Sequence, residues 1–125
     1  SDSEQTYRGK MKLPNLERAV VRSGKISDYL LSATHPAGRH KARFFGLFGF
    51  SRSAPEMLTR SLIEHARSNE VTAVEPTAFG TRYTVDGALI SPDGRNPRVR
   101  VIWFTESGSH IPELVTAYPL PELKP

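Results

Sequence analysis

Hydrophobic positions recur at helical spacing in the first half of the chain and at alternating spacing in the second. In Lys25-Ile26-Ser27-Asp28-Tyr29-Leu30-Leu31, the residues Ile26, Tyr29 and Leu30 fall on one helical face, which predicts a first short helix. Pro36-Ala37-Gly38 breaks the chain, and the stretch from Arg39 or His40 through Phe48 predicts a second, stopped at Gly49. Ser53-Ala54-Pro55-Glu56 matches a capping box and precedes an apolar stripe of Leu58, Leu62 and Ala66, so a third helix is expected from Ala54 to about Ser68. Beyond it the period becomes two. Strands are expected around Val71–Val74, Thr81–Ile90, Arg98–Thr105 and Pro112–Leu120, with turns in Ser91–Pro97 and Ser107–Ser109. Residues 1–12 show no period and read as a tether ahead of one domain spanning 13–125.

Strands joined by short turns form an antiparallel meander, so the expected class is α+β: about three N-terminal helices on one face of a four-stranded antiparallel sheet. The other face is then free to hold a ligand, and alternation decides what it displays. Strand two offers Arg82, Thr84 and Asp86 against Tyr83, Val85 and Gly87; strand three offers Arg98, Arg100 and Ile102 against Val99, Val101 and Trp103. In the last strand Leu114, Thr116 and Tyr118 alternate with Val115 and Ala117. With the apolar sets turned to the helices, Arg82, Arg100, Thr116 and Tyr118 line one surface.

Composition narrows the chemistry. A chain of 125 residues is about one domain. Its formal net charge is +4, a balance that favours polyanions without singling out nucleic acid. Cysteine is absent, which removes disulfides and thiolate metal sites. No apolar stretch approaches the ~20 residues that span a bilayer, and Ser1-Asp2-Ser3-Glu4-Gln5-Thr6 lacks the basic and apolar regions of a signal peptide, so a soluble domain is expected. No carboxylate pairs or His-x-x-x-His spacing suggest a metal, and neither a phosphate loop nor a cofactor fingerprint appears. The densest chemistry lies in Gly38-Arg39-His40-Lys41-Ala42-Arg43. A histidine can move protons near neutral pH, and cations can hold phosphate, a combination suited to phosphodiester cleavage. Elsewhere the structural reading prevails: His35 shapes a turn, His65 packs or faces solvent on the third helix, His110 occupies a hairpin tip, and Trp103 with Phe44, Phe45, Phe48 and Phe50 fills the core.

Gly38-Arg39-His40-Lys41-Ala42-Arg43-Phe44, Arg82-Tyr83-Thr84-Val85-Asp86, Val99-Arg100 with Trp103, and Leu114-Val115-Thr116-Ala117-Tyr118 together resemble an uncharacterised bacterial domain family that often ends larger secreted or phage-associated proteins. Their spacing is similar to the barnase–EndoU–colicin–RelE (BECR) superfamily of metal-independent ribonuclease toxins. The resemblance covers about Leu13 to Leu120. It implies a toxin domain that cleaves RNA, with transfer RNA one option, inside a target cell and is neutralised by an immunity or antitoxin protein, without cofactor or metal. The carried-over catalytic residues are His40 as base or acid, Arg82, Arg100, Thr116 and Tyr118; Arg39, Lys41, Arg43 and Arg98 would hold phosphate. The alternative from a different class is a non-catalytic RNA- or protein-binding module using the same basic sheet face, and a purely structural interaction domain is a third.

Overall fold

The computed structural model describes residues 11–32, 34 and 39–121. The expected tether up to residue 10, the turn at His35 with Pro36-Ala37-Gly38, and the chain from 122 onward lie outside them. A 3-10 turn at Leu16–Arg18 leads to α1, which begins as an α-helical turn at Ser23–Lys25 and continues as a π-helical turn at Ile26–Leu30. Helices α2 (Arg39–Leu47) and α3 (Pro55–Ser68) follow. Four strands complete the domain: β1 Val71–Thr77, β2 Gly80–Ala88, β3 Arg98–Glu106 and β4 Pro112–Pro119. They pair in sequence order, every neighbour antiparallel, so the α+β class with three helices and a four-stranded meander is as expected.

One face of the sheet carries the core. The i, i+4, i+8 row Leu58, Leu62 and Ala66 of α3 is fully buried, as are Ile26 and Leu30 of α1 and Phe45 of α2. Val85, Val99, Val101, Trp103 and Ala117 from the strands are fully buried in the same cluster, the expected inward sets. His65 enters this layer too, 2% exposed, with Nε2 3.2 Å from both the Gly87 and Val99 carbonyl oxygens. A Cβ at Gly87 would collide with the Asn69 side chain just after α3, so any substitution there would require the Asn69 amide to move.

Four local expectations change. The capping box does not form: Ala54 is the N-cap without a side-chain bond, and the Ser53 hydroxyl instead meets that of Ser51 at 2.8 Å. Strand β1 runs three residues further than its apolar run because Glu75, Pro76 and Thr77 pair with Arg82, Thr81 and Gly80, and an edge strand tolerates proline. In β4 the register steps from Ile102↔Thr116 to Trp103↔Leu114, leaving Val115 as a bulge. That extra residue turns Leu114 into the core, 4% exposed, rather than out beside Thr116 and Tyr118. Finally, α1 is not a regular α-helix: Ile26 and Leu30 are buried while Tyr29 packs against the core cluster half-buried. In the π turn Leu31 N–H bonds to the Ile26 carbonyl, 2.8 Å, so the simple 3.6-residue spacing no longer applies.

Candidate functional site

On the side of the sheet away from the core, the register aligns the polar residues. Asp86 lies opposite Arg100, Arg100 opposite Tyr118, and Ile102 opposite Thr116. Arg100 donates from Nε and Nη2 to the two Asp86 carboxylate oxygens at 2.8 and 2.9 Å, a bidentate clamp that fixes the guanidinium plane. The hydrogen bonds to Asp86, and then Tyr118, hold Arg100 well above its ordinary value. It is a permanent, oriented cation. Ile102, on this face as expected, is nevertheless only 6% exposed.

Helix α1 adds Tyr29, a residue outside the nine candidates. The Tyr29 hydroxyl sits 3.1 Å from Thr116 Oγ1, and the Lys41 and Lys25 ammonium groups each lie 5.5 Å from the Tyr29 ring centroid. Desolvation pushes the Tyr29 phenol up, but the hydrogen bond from Thr116 and the charges of Lys41 and Lys25 outweigh it, leaving the phenol below its ordinary value. A cavity of about 650 Å³ opens beside this group, lined by Arg22, Lys25, Asp28, Tyr29, Val115 and Thr116. The arrangement joins a hydroxyl pair able to relay a proton to fixed cations able to receive an anionic oxygen.

The remaining predicted residues stand elsewhere. Arg39, His40 and Arg43 line a separate cavity of about 530 Å³ together with Arg52, and its lining includes none of Arg82, Arg100, Thr116 or Tyr118. His40 and Lys41, adjacent in sequence, thus serve different flanks of α2. Arg82 is exposed, four residues along β2 from Asp86, and lines a groove of about 410 Å³ with Lys25, Phe104 and Glu113. Arg98 borders a third cavity, about 490 Å³, with Phe44, Phe48 and Arg95, where the Arg95 guanidinium stacks 4.4 Å from the Phe48 ring centroid. Of the nine predicted residues, Lys41 and Thr116 meet at Tyr29, while Arg100 and Tyr118 follow on the same sheet face. The sequence signal for Tyr29 was its charged surroundings, Lys25 and Asp28, on a short helix rich in polar residues.

Among the described residues, no group of three or more His, Asp or Glu side chains converges as metal ligands would, and no helix is long and apolar enough to cross a membrane. Comparison with protein families finds one match, DUF6883, described as a domain of unknown function, over residues 12–121. Neither a curated protein nor a solved structure matches the chain.

Proposed function

The chain belongs to the DUF6883 family, whose description assigns no activity, and from its site we propose that it is a metal-independent endoribonuclease domain of the BECR type. The observation that carries this reading is the Tyr29 phenol, bonded to Thr116, lowered in pKa by Lys41 and Lys25, on a face that also presents the clamped Arg100. In the proposed reaction the ribose 2′-oxygen attacks the adjacent phosphorus, its proton passes to a base, the P–O5′ bond breaks, and the 5′-oxygen receives a proton. The products are a 2′,3′-cyclic phosphate and a 5′-hydroxyl. Tyr29 is the proton carrier we assign, because it is the titratable hydroxyl in contact with both Thr116 and the lysines; Lys41 and Arg100 stabilise the phosphorane charge, and Thr116 and Tyr118 orient the phosphate. His40, on the other flank of α2, is assigned to substrate contact. A toxin role, an immunity partner and action within a target cell extend the same proposal.

The test is incubation of pure protein with total bacterial RNA in EDTA beside Tyr29→Phe and His40→Ala, reading fragment ends for cyclic phosphate. Discrete cleavage retained in His40→Ala and lost in Tyr29→Phe is the expected result. RNA left intact by the unsubstituted protein across pH would overturn the reading in favour of a binding module. Cleavage lost only in His40→Ala would move the centre to the arginine cavity.

A further inference from the structure

Among the described residues, some arginines are paired with carboxylates and others are not, and three of the unpaired ones converge on one cavity. Arg22, Arg67, Arg95 and Arg100 are each held by a carboxylate, Glu113, Glu64, Asp93 and Asp86 respectively. Arg39, Arg43 and Arg52, which share a cavity with His40, have no ion pair among the described residues. Among the described residues no acidic side chain lines that cavity, and the sequence between Ser32 and Arg39 contains none.

This convergence is built by the fold. Arg39 and Arg43 are one helical turn apart, so they project from the same side of α2, with His40 three residues before Arg43. Arg52 is returned to them by the loop after α2: Phe50 N–H bonds to the Phe45 carbonyl at 3.1 Å, and the Phe50 ring, buried, packs edge-on against Phe45 at 6.0 Å. Like charges at i, i+4 oppose helix formation, and a third guanidinium adds to the repulsion. An uncompensated cluster of this kind costs stability in the free protein and lowers it less once an anion is bound. Guanidinium groups take phosphate oxygens bidentately, and a cavity of about 530 Å³ admits a phosphate with its attached sugar.

We propose that the Arg39–His40–Arg43–Arg52 cavity is a phosphate subsite, separate from the Tyr29 centre, that holds a backbone phosphate of the RNA flanking the one cleaved. It rests on the ribonuclease reading for the identity of the polyanion. The strand then crosses α2, with the scissile phosphate on the Lys41 flank and its neighbour on the His40 flank, and the register of cutting follows from the distance between them.

The probe is a 2′-O-methyl oligoribonucleotide, which lacks the attacking hydroxyl and so reports binding alone. Its affinity is measured by fluorescence anisotropy over a range of salt, for the full chain, for Arg43→Gln with Arg52→Gln, and for Arg67→Gln, whose guanidinium is already paired on α3. All three substituted positions are exposed, and thermal unfolding checks that the folds agree. Loss of the contacts to this one phosphate is expected to weaken binding about tenfold near physiological salt and to reduce the slope of log affinity against log salt by about 0.7, with Arg67→Gln unchanged. Unchanged affinity and slope in the double variant, or no oligonucleotide binding by the unsubstituted chain, overturns the subsite. If the double variant behaves as expected while ordinary RNA is never cut, the subsite stands and the ribonuclease reading falls. If RNA is cut with cyclic phosphate ends while the double variant binds as tightly as the parent, the reverse holds.

Discussion

The two faces of the sheet differ in how their polar atoms are treated. On the helix-covered face two side-chain nitrogens, Trp103 Nε1 and His65 Nδ1, are buried with no hydrogen-bond partner among the described residues. On the other face Asp86, Arg100, Thr116 and Tyr29 have hydroxyl, carboxylate or guanidinium partners within about 3 Å. The first face tolerates an unpaired N–H because the apolar area around it dominates, and the second spends packing on keeping charged groups aligned. Stability and chemistry are therefore assigned to opposite sides of the same strands, and substitutions on each should fail in different assays.

The largest effect is expected at Trp103. Truncation to alanine removes the largest fully buried side chain of the cluster and leaves a cavity in the core, costing about 3–5 kcal/mol in denaturant unfolding. Trp103→Phe should cost clearly less, because it keeps most of the ring and deletes the unpaired indole N–H. A phenylalanine variant as unstable as the alanine one would mean that the indole nitrogen is satisfied in solution. Across the sheet, Tyr29→Phe should do the opposite. It keeps the ring and loses the hydroxyl contact with Thr116, so under the proposed ribonuclease reading RNA cleavage should fall by about two to four orders of magnitude while the unfolding midpoint moves little. An unfolding loss as large as that of Trp103→Ala would place Tyr29 in the core after all.

This division was partly legible in the sequence. Period-two alternation assigned Val85, Val99, Val101 and Trp103 to one face and Arg82, Arg100, Thr116 and Tyr118 to the other, because strand geometry leaves only two options per residue. It failed at Leu114, since a bulge is one inserted residue with no composition signature, and the helical spacing of Ile26, Tyr29 and Leu30 gave no sign of the π turn or of the Tyr29–Thr116 contact. Strand alternation also carries no information on how a helix is rotated against the sheet. The grouping of His40 with Arg100 and Tyr118 was therefore beyond its reach: neighbours in sequence at 40 and 41 diverge to opposite flanks of α2.

A third difference between the faces is open to titration. Burial lowers the His65 pKa from its ordinary value, partly opposed by the bonds to the Val99 and Gly87 carbonyls and by the charge of Asp86. The unfolded chain, with a pKa near 6.5, therefore binds the proton more readily than the folded one. Stability from this residue is complete above about pH 6.5 and is lost as pH falls below it, with a limiting slope of about 1.4 kcal/mol per pH unit. Unfolding measured at pH 7.5 and 5.5 should show this loss, and His65→Gln should lose less between those values. Equal losses would assign the acid sensitivity to other groups.

The smallest effect is expected at Asp86, and it is the one that crosses the sheet. Its carboxylate is on the open face, paired with Arg100, yet its charge reaches His65 on the covered face. Because the Arg100 side chain is 38% exposed, solvent screens the pair, and Asp86→Asn should lower unfolding stability by under about 1 kcal/mol at pH 7.5. The same substitution removes a negative charge that favours the His65 imidazolium, so the native His65 pKa drops further and the total acid loss, followed down to the lowest pH at which the fold persists, should grow. An acid loss unchanged by Asp86→Asn would show the two faces to be electrostatically independent, each strand acting as a screen between a face that holds the fold and a face that holds the reactive groups.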